Sequence, residues 1–111
     1  GTNTQTSVDY PVFAVEVCNL IKSGKCETAI IFCGTGVGMS IVANKMKGVR
    51  AVVCSEPYSA KMAKEHNNAN VLCLGSRVIG VELAKTIVDT WLAAKFEGGR
   101  HSRRVDMFDQ D

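Results

Sequence analysis

The sequence predicts an α/β fold in which helices cover both faces of a parallel sheet, giving three layers. Three short apolar runs, at 29–33, 49–54 and 70–74, are rich in β-branched residues, and each ends in a polar or glycine-containing turn. Stretches with helical spacing lie before, between and after these runs. Regular alternation of helices and strands implies parallel strands joined by right-handed crossovers.

The individual elements follow from local signals. Pro11 suits the first turn of a helix, and the helical spacing that follows it ends at Gly24. The three strands come next, separated by helices predicted at about 40–46 and at 57–67. A longer helix is predicted at 81–96, and the basic segment 100–109 after Gly98-Gly99 is predicted as a last helix. The apolar stripe of the longer helix consists of Ala84, Ile87, Val88, Trp91 and Leu92.

Length and composition indicate one globular domain covering residues 1–111. The chain is 46% hydrophobic and 22% charged with a formal net charge of +2, which is far from the composition of disordered chains. Its apolar runs are too short to span a bilayer, and its start lacks the features of a signal peptide. Five cysteines without a C-x-x-C pair are expected to be free thiols in a reducing compartment, so the protein is expected to be cytoplasmic.

The stretch IIFCGTGVGMS, residues 30–40, is the first candidate site. In an open parallel sheet, ligands bind at the carboxyl ends of the strands, which is where this glycine loop lies. Its glycines allow backbone N–H groups to approach an anion, and the positive end of the next helix dipole favours negative charge. The spacing fits neither the dinucleotide fingerprint nor a Walker A loop. The alternative is a tight connection between a strand and a helix, without a ligand.

Cys33 stands at the mouth of this loop. A thiol beside a helix N-terminus is shifted toward the thiolate, which can act as a base or a nucleophile. The alternative is a small buried hydrophobe without chemistry. Cys54 and Cys73 lie within or at the end of apolar strands with no such loop after them, so we predict that both belong to the core.

Two later stretches add polar candidates. His66 and Asn67 end a predicted helix just before a buried strand, where a histidine can serve as acid or base near neutral pH. Arg100 and Arg104 lie one helical turn apart in a basic cluster and can grip one phosphate together. A structural histidine and a solvated basic face are the alternatives. Nucleic-acid binding ranks low, because the chain has no basic stripe interleaved with aromatic rings.

Four motifs in order, CGTGVGMS, EHNNANV, GSRVIG and GGRHSRRV, resemble the type B ribose-5-phosphate isomerases. That family includes the galactose-6-phosphate and allose-6-phosphate isomerases, and the likeness runs over residues 1–105. The resemblance implies a Rossmann-like fold whose full sheet has five strands, of which this chain supplies three.

The resemblance also implies a reaction: isomerisation of an aldose phosphate to a ketose phosphate through an enediolate. Ribose 5-phosphate to ribulose 5-phosphate is the first expectation, with allose 6-phosphate or galactose 6-phosphate as alternatives. By this likeness Cys33 is the base, Thr35 assists it, and His66 helps to open the sugar ring. No metal or organic cofactor is expected, and the family forms homodimers with shared active sites. The implied substrate-binding residues are Gly34, Gly36, Gly38, Ser40, Asn67, Arg100 and Arg104.

The chain also departs from the family pattern. Family members begin with a strand that ends in an Asp-His pair, followed by a helix and a second strand. This sequence does not include such a segment, so the domain is expected to be truncated at its amino end relative to the family. A non-catalytic phosphosugar-binding or dimerisation module is therefore the alternative function. The run 29–33 is expected to be an edge strand that another segment or copy covers. Trp91 and the 81–96 helix are expected to expose enough apolar surface to favour a homodimer.

Overall fold

The computed structural model describes residues 1–109 and has the predicted α/β architecture. Within these residues, helices and strands alternate up to the last strand, and two helices follow it, which gives five helices and three strands. In chain order they are α1 (Tyr10–Lys22), β1 (Ala29–Cys33), α2 (Val37–Asn44), β2 (Ala51–Val53), α3 (Pro57–Asn67), β3 (Val71–Gly75), α4 (Val81–Ala93) and α5 (Arg100–Val105).

The three strands form one parallel sheet in the order β1-β3-β2. Strand β3 is central and all five of its residues are buried, which explains its unbroken apolar sequence. The register pairs Ala29 with Val71 and Cys33 with Gly75. The carboxyl ends of β1 and β3 therefore lie side by side at the same end of the sheet.

Alternation along β3 builds a core on each face of the sheet. Val71 and Cys73 pack into one cluster, with Ala14 and Cys18 of α1 and Ala43 of α2. On the opposite face, Leu72 and Leu74 pack with Trp91 of α4 and Ala60 of α3. This arrangement gives the three layers that the sequence predicts.

The two edge strands, β2 and β1, differ in whether a side chain bonds their outer backbone groups. At β2, the side-chain amide of Asn44 donates to the Ala51 carbonyl at 2.9 Å and accepts from the Ala51 N–H at 2.8 Å. These bonds satisfy backbone groups that an edge strand leaves unpaired. Strand β1 has β3 as its one partner within residues 1–109, and Phe32 on it is 54% exposed. The prediction that β1 is an edge is confirmed, while its covering by another segment or copy stays a prediction.

Several predicted boundaries shift. Helix α2 begins at Val37 and not near residue 40, because the glycine loop itself supplies the helix start. Strand β2 keeps three residues of the six predicted, and β3 lies one residue later than predicted. Helices α4 and α5 end at Ala93 and Val105, earlier than the predicted residues 96 and 109.

The expectation that Trp91 adds exposed apolar surface is wrong. Trp91 is fully buried, and the amine of Lys64 lies 3.8 Å from the centre of its ring. Leu92, predicted on the same stripe, is instead 53% exposed, because one residue along a helix turns the side chain by about 100° away from the core. The argument from Trp91 for a dimer therefore fails, although Val81 and Leu83 of α4 are exposed.

Candidate active site

The glycine loop between β1 and α2 is shaped by two backbone constraints. Gly36 caps α2 with φ +83°, a left-handed conformation that other residues adopt only with strain. A Cβ atom built on Gly75, at the end of the neighbouring strand, would lie 2.6 Å from the backbone oxygen of Thr35. The loop is therefore pressed against the end of β3, where only glycine fits.

Cys33 and the start of α2 make a polar contact inside this loop. The Gly36 N–H donates to Cys33 Sγ at 3.0 Å, and the cysteine is half-buried. The first-turn N–H groups of α2 have no intrahelical partner by the geometry of an α-helix. Cys33 is thus the predicted thiol in the predicted place, next to backbone donors and the positive end of a helix.

The hydroxyl groups of the loop differ in their accessibility. Thr35 is exposed, and its Oγ1 accepts a hydrogen bond from the Val37 N–H at 3.2 Å. Ser40 is buried, and its hydroxyl donates to the Val37 carbonyl at 2.7 Å inside the helix. Thr35 is therefore available at the loop surface, whereas the proton of Ser40 is already engaged in the fold.

Two side chains that sequence reasoning did not single out also reach the glycine loop. A Cβ atom built on Gly38 would lie 2.5 Å from the hydroxyl oxygen of Tyr10, the first residue of α1. A Cβ atom on Gly34 would lie 3.6 Å from Cδ of Arg77, which follows β3. Arg77 also donates its backbone N–H to the Gly34 carbonyl at 3.0 Å. The position of Arg77 just after the carboxyl end of a buried strand is the sequence signal that could have identified it.

The core cysteines Cys54 and Cys73 are buried, whereas Cys33 is half-buried. Burial raises the pKa of Cys73 to about 12, and burial together with the charge of Glu56 raises the pKa of Cys54 to about 11. Both thiols are fully protonated at neutral pH. The prediction that these two cysteines belong to the core is confirmed by their burial.

A second polar cluster lies at the carboxyl end of α3. His66 Nε2 is 3.2 Å from Glu97 Oε1, and the His66 ring stacks on that of His101 with centroids 4.2 Å apart. The three side chains present ligand atoms within 4.8 Å of one another. Partial desolvation, then the neighbouring His66 and Arg100, lower the pKa of His101.

Arg100, Arg104 and Asn67, the other residues predicted with His66, are close in sequence to this cluster. Arg100 and Arg104 both lie on α5 and are exposed, as the one-turn spacing predicts. Asn67 lines a cavity of about 360 Å³ with Arg50 and Phe108, while the neighbouring His66 turns toward Glu97. The side chains of His66 and Asn67, although adjacent in sequence, therefore lie in different environments.

The structure places the predicted residues in two groups at opposite ends of the sheet. The loop with Cys33 follows the carboxyl end of β1, whereas α3 delivers His66 and Asn67 to the amino end of β3. Helix α5 contacts α3 and so belongs to the amino end as well. The length of β3, about 13 Å at 3.3 Å per residue, separates the two groups within one chain.

No helix among residues 1–109 is both long enough and apolar enough to cross a membrane.

Comparisons with known proteins agree with the fold and motifs. Residues 1–108 match the family model described as Ribose/Galactose Isomerase. The chain is 56% identical over 106 residues to ribose-5-phosphate isomerase B of Escherichia coli K12, covering 96% of this chain and 71% of that protein. It superposes on a Thermotoga maritima ribose 5-phosphate isomerase with a TM-score of 0.96 at 50% identity, covering 98% and 75% of the two chains.

A third relative carries a ligand. The ribose-5-phosphate isomerase B of Mycoplasma genitalium, solved with bound ribulose-5-phosphate, superposes with a TM-score of 0.90 at 45% identity, covering 96% of this chain and 71% of that one. The matches extend over nearly all of this chain and include every motif described above. The chain therefore belongs to the ribose/galactose isomerase family of sugar-phosphate isomerases.

Proposed function

We propose that the chain catalyses the interconversion of ribose 5-phosphate and ribulose 5-phosphate, with Cys33 as the base. The observation that carries this proposal is the Cys33 thiol at the start of α2, where the Gly36 N–H donates to its sulfur at 3.0 Å. Relatives named for the same reaction support the choice of substrate. We expect the protein to act in the cytoplasm, where its five thiols stay reduced.

The reaction needs a group that takes a proton from C2 of the open-chain aldose and returns it to C1 of the enediolate. A thiolate can do this when it is stabilised in its ground state and close to the substrate carbon. The Gly36 N–H and the positive end of the α2 dipole stabilise a negative charge on Cys33. Among the thiols, Cys54 and Cys73 are unsuited to this task because burial raises their pKa to about 11 and about 12.

The enediolate also needs donors for its developing oxygen charge. The first-turn N–H groups of α2, at Gly38 and Met39, have no partner within the helix by the geometry of an α-helix, which makes them candidate donors to the oxyanion. Thr35 presents an exposed hydroxyl beside them. We assign the loop amides to the oxyanion and Thr35 to assistance in the proton transfer.

The phosphate end of the substrate needs cations. Arg100 and Arg104 provide two exposed guanidinium groups on one face of α5, and guanidinium forks match phosphate oxygens. We assign His66 to opening of the furanose ring and Asn67 to its hydroxyl groups. The pairing of His66 with Glu97 at 3.2 Å fixes the ring edge for such a role.

We propose that two copies of the chain share each active site. The Cys33 loop and the Arg100–Arg104 pair lie at opposite ends of the sheet, so one chain does not bring both to the same sugar. An antiparallel arrangement of two copies sets the carboxyl end of one sheet against the amino end of the other. A two-fold axis then gives two identical sites per dimer.

The first test is turnover of ribose 5-phosphate by the chain and by its Cys33→Ala variant. Loss of a general base is expected to lower kcat by about 10²-fold or more, because proton transfer contributes that much to catalysis. Cys26→Ala is the matched control, since Cys26 is an exposed thiol and is expected to leave kcat unchanged.

Two outcomes would contradict the proposal. Activity of Cys33→Ala within a few-fold of the unmutated chain would remove Cys33 as the base. Binding of ribose 5-phosphate without any turnover would favour the alternative, a non-catalytic phosphosugar-binding module. A panel of ribose, allose and galactose phosphates then fixes the preferred sugar by its kcat/KM.

A further inference from the structure

We propose that His66, Glu97 and His101 form a binding site for a divalent transition metal of the zinc type. The chain has two histidines, and both lie in this cluster together with one carboxylate. Two imidazoles and one carboxylate are a donor set that zinc takes in proteins, with a fourth position left open. Such a metal would be a regulator or inhibitor and takes no part in the isomerisation described above.

The donor spacing is close to what a tetrahedral ion requires. Zinc bonds to nitrogen and oxygen of about 2.0–2.1 Å place neighbouring donors about 3.4 Å apart. His66 Nε2 and Glu97 Oε1 are already 3.2 Å apart, and all three ligand atoms lie within 4.8 Å of one another. Closing the site therefore needs a movement of at most about 1.5 Å.

One rearrangement is required. The two imidazole rings are nearly parallel, at 12°, and lone pairs of parallel stacked rings cannot point at one ion. The terminal torsion of a histidine is soft, so the His101 ring can tilt out of the stack at little cost. Helix α5 has no buried residue, which leaves its side chains room to adjust.

The backbone around the cluster is held in place. The Glu97 N–H donates to the Glu65 carbonyl at 3.0 Å, which ties the segment before α5 to the end of α3. The His101 N–H donates to the Gly98 carbonyl at 3.0 Å. The backbone that carries Glu97 and His101 is thus held near His66 by the fold, and only the side chains remain to be ordered when a metal binds.

The position of the site gives it a consequence. His66 also belongs to the proposed sugar-binding group, so a bound metal would compete with the substrate and inhibit turnover. That consequence rests on the proposed function, whereas metal binding itself does not.

Titration with Co²⁺, followed by its visible absorption, and competition by Zn²⁺ test the proposal in a phosphate-free buffer. We expect one ion per chain and no thiolate charge-transfer band, because the ligands are imidazole and carboxylate. Glu97→Gln and His101→Gln are each expected to weaken zinc binding by about ten-fold or more, since loss of even an outer-shell partner costs that much. Glu82→Gln is the matched control, because Glu82 is exposed on α4 and pairs with Lys85.

A cysteine variant tests whether a thiol binds the metal in place of the three proposed ligands. Cys26→Ser is expected to leave binding unchanged, which excludes the exposed thiol as the ligand. Binding that survives either Glu97→Gln or His101→Gln at full strength would overturn the three-ligand site. A thiolate band, or the absence of saturable binding by the folded chain, would overturn it as well.

Discussion

The candidate groups at the two ends of the sheet differ in kind: one end is shaped by backbone and the other by side chains. At the carboxyl end, the loop around Cys33 is shaped by backbone, with the buried Gly36 and Gly75 packed against neighbouring main chain. At the amino end, the candidate groups are the tips of long side chains, and those of His66 and Glu97 are 37% and 51% exposed. Arg100 and Arg104 are exposed on a short helix without buried residues.

This difference shows which half of the proposed site exists before substrate arrives. A backbone-built loop loses little entropy on binding, because its donors are already fixed by the fold. Exposed arginines and histidines lose rotamer freedom when they are ordered. In the proposed site, the Cys33 end is therefore preformed, whereas the side chains at the α5 end are expected to be ordered by the ligand and the proposed partner copy.

The largest effect on KM is expected at the side-chain end. Arg104→Ala removes one proposed charge-assisted contact to phosphate, of a kind worth about 1.5–3 kcal/mol, so KM is expected to rise about ten- to hundred-fold. The value of kcat should change much less, because phosphate is bound equally in ground and transition states. Steady-state kinetics with ribose 5-phosphate measure both.

Arg103→Ala is the control for that prediction, since Arg103 is an exposed neighbour on the same helix. A fall in kcat of Arg104→Ala without a rise in KM would move this arginine into the transition state and weaken the contrast between the two ends.

An intermediate effect is expected from the backbone end. Gly75→Ala would put a methyl group 2.6 Å from the Thr35 carbonyl oxygen, and the main chain on both sides of this contact is held by the fold. We expect a loss of about 1–3 kcal/mol in the free energy of unfolding, as for other overpacked sites. Urea denaturation measures it. Gly80→Ala is the matched control, because nothing lies within 4 Å of a Cβ atom there, and an equal loss in both variants would contradict the account.

The smallest effect near neutral pH is expected from Cys73, whose thiol takes no part in the proposed reaction. Burial raises the pKa of Cys73 from 9.0 to about 12, so the folded state favours the protonated thiol. Its contribution to stability is fully present below pH 9 and is lost as the pH rises toward 12. Thermal unfolding should therefore show no dependence on this group near neutral pH and a decline above pH 9.

Alkylation followed by mass spectrometry checks the same contrast. At pH 8, iodoacetamide is expected to modify Cys33 and the exposed Cys26 while Cys73 stays unmodified in the folded chain. Modification of Cys73 before Cys33 would contradict the assignment of these two thiols.

Periodicity predicted the elements well, and the ends of elements less well. Strand β1 and helix α3 match their predicted bounds because a glycine or proline marks the change of structure. The start of α2 was predicted too late, because the left-handed Gly36 and the Thr35 hydroxyl begin the helix about one turn before residue 40.

The candidate site was predicted in part. Residue type and spacing made Cys33, Arg100 and Arg104 candidates, and the resemblance to the isomerase family supplied their expected roles. Tyr10 and Arg77 reach the glycine loop by tertiary packing, which no local spacing records. Glu97 was missed for the same reason, since its contact with His66 joins residues about thirty positions apart.

Mixing two defective variants tests the shared site most directly. Cys33→Ala lacks the carboxyl-end group, and a chain carrying both Arg100→Ala and Arg104→Ala lacks the amino-end pair. If each site uses one group from each copy, co-refolding equal amounts should restore about a quarter of the unmutated activity, because half of the dimers are mixed and each has one intact site. Light scattering confirms that dimers form. A mixture no more active than the average of its two components would contradict a site shared between copies.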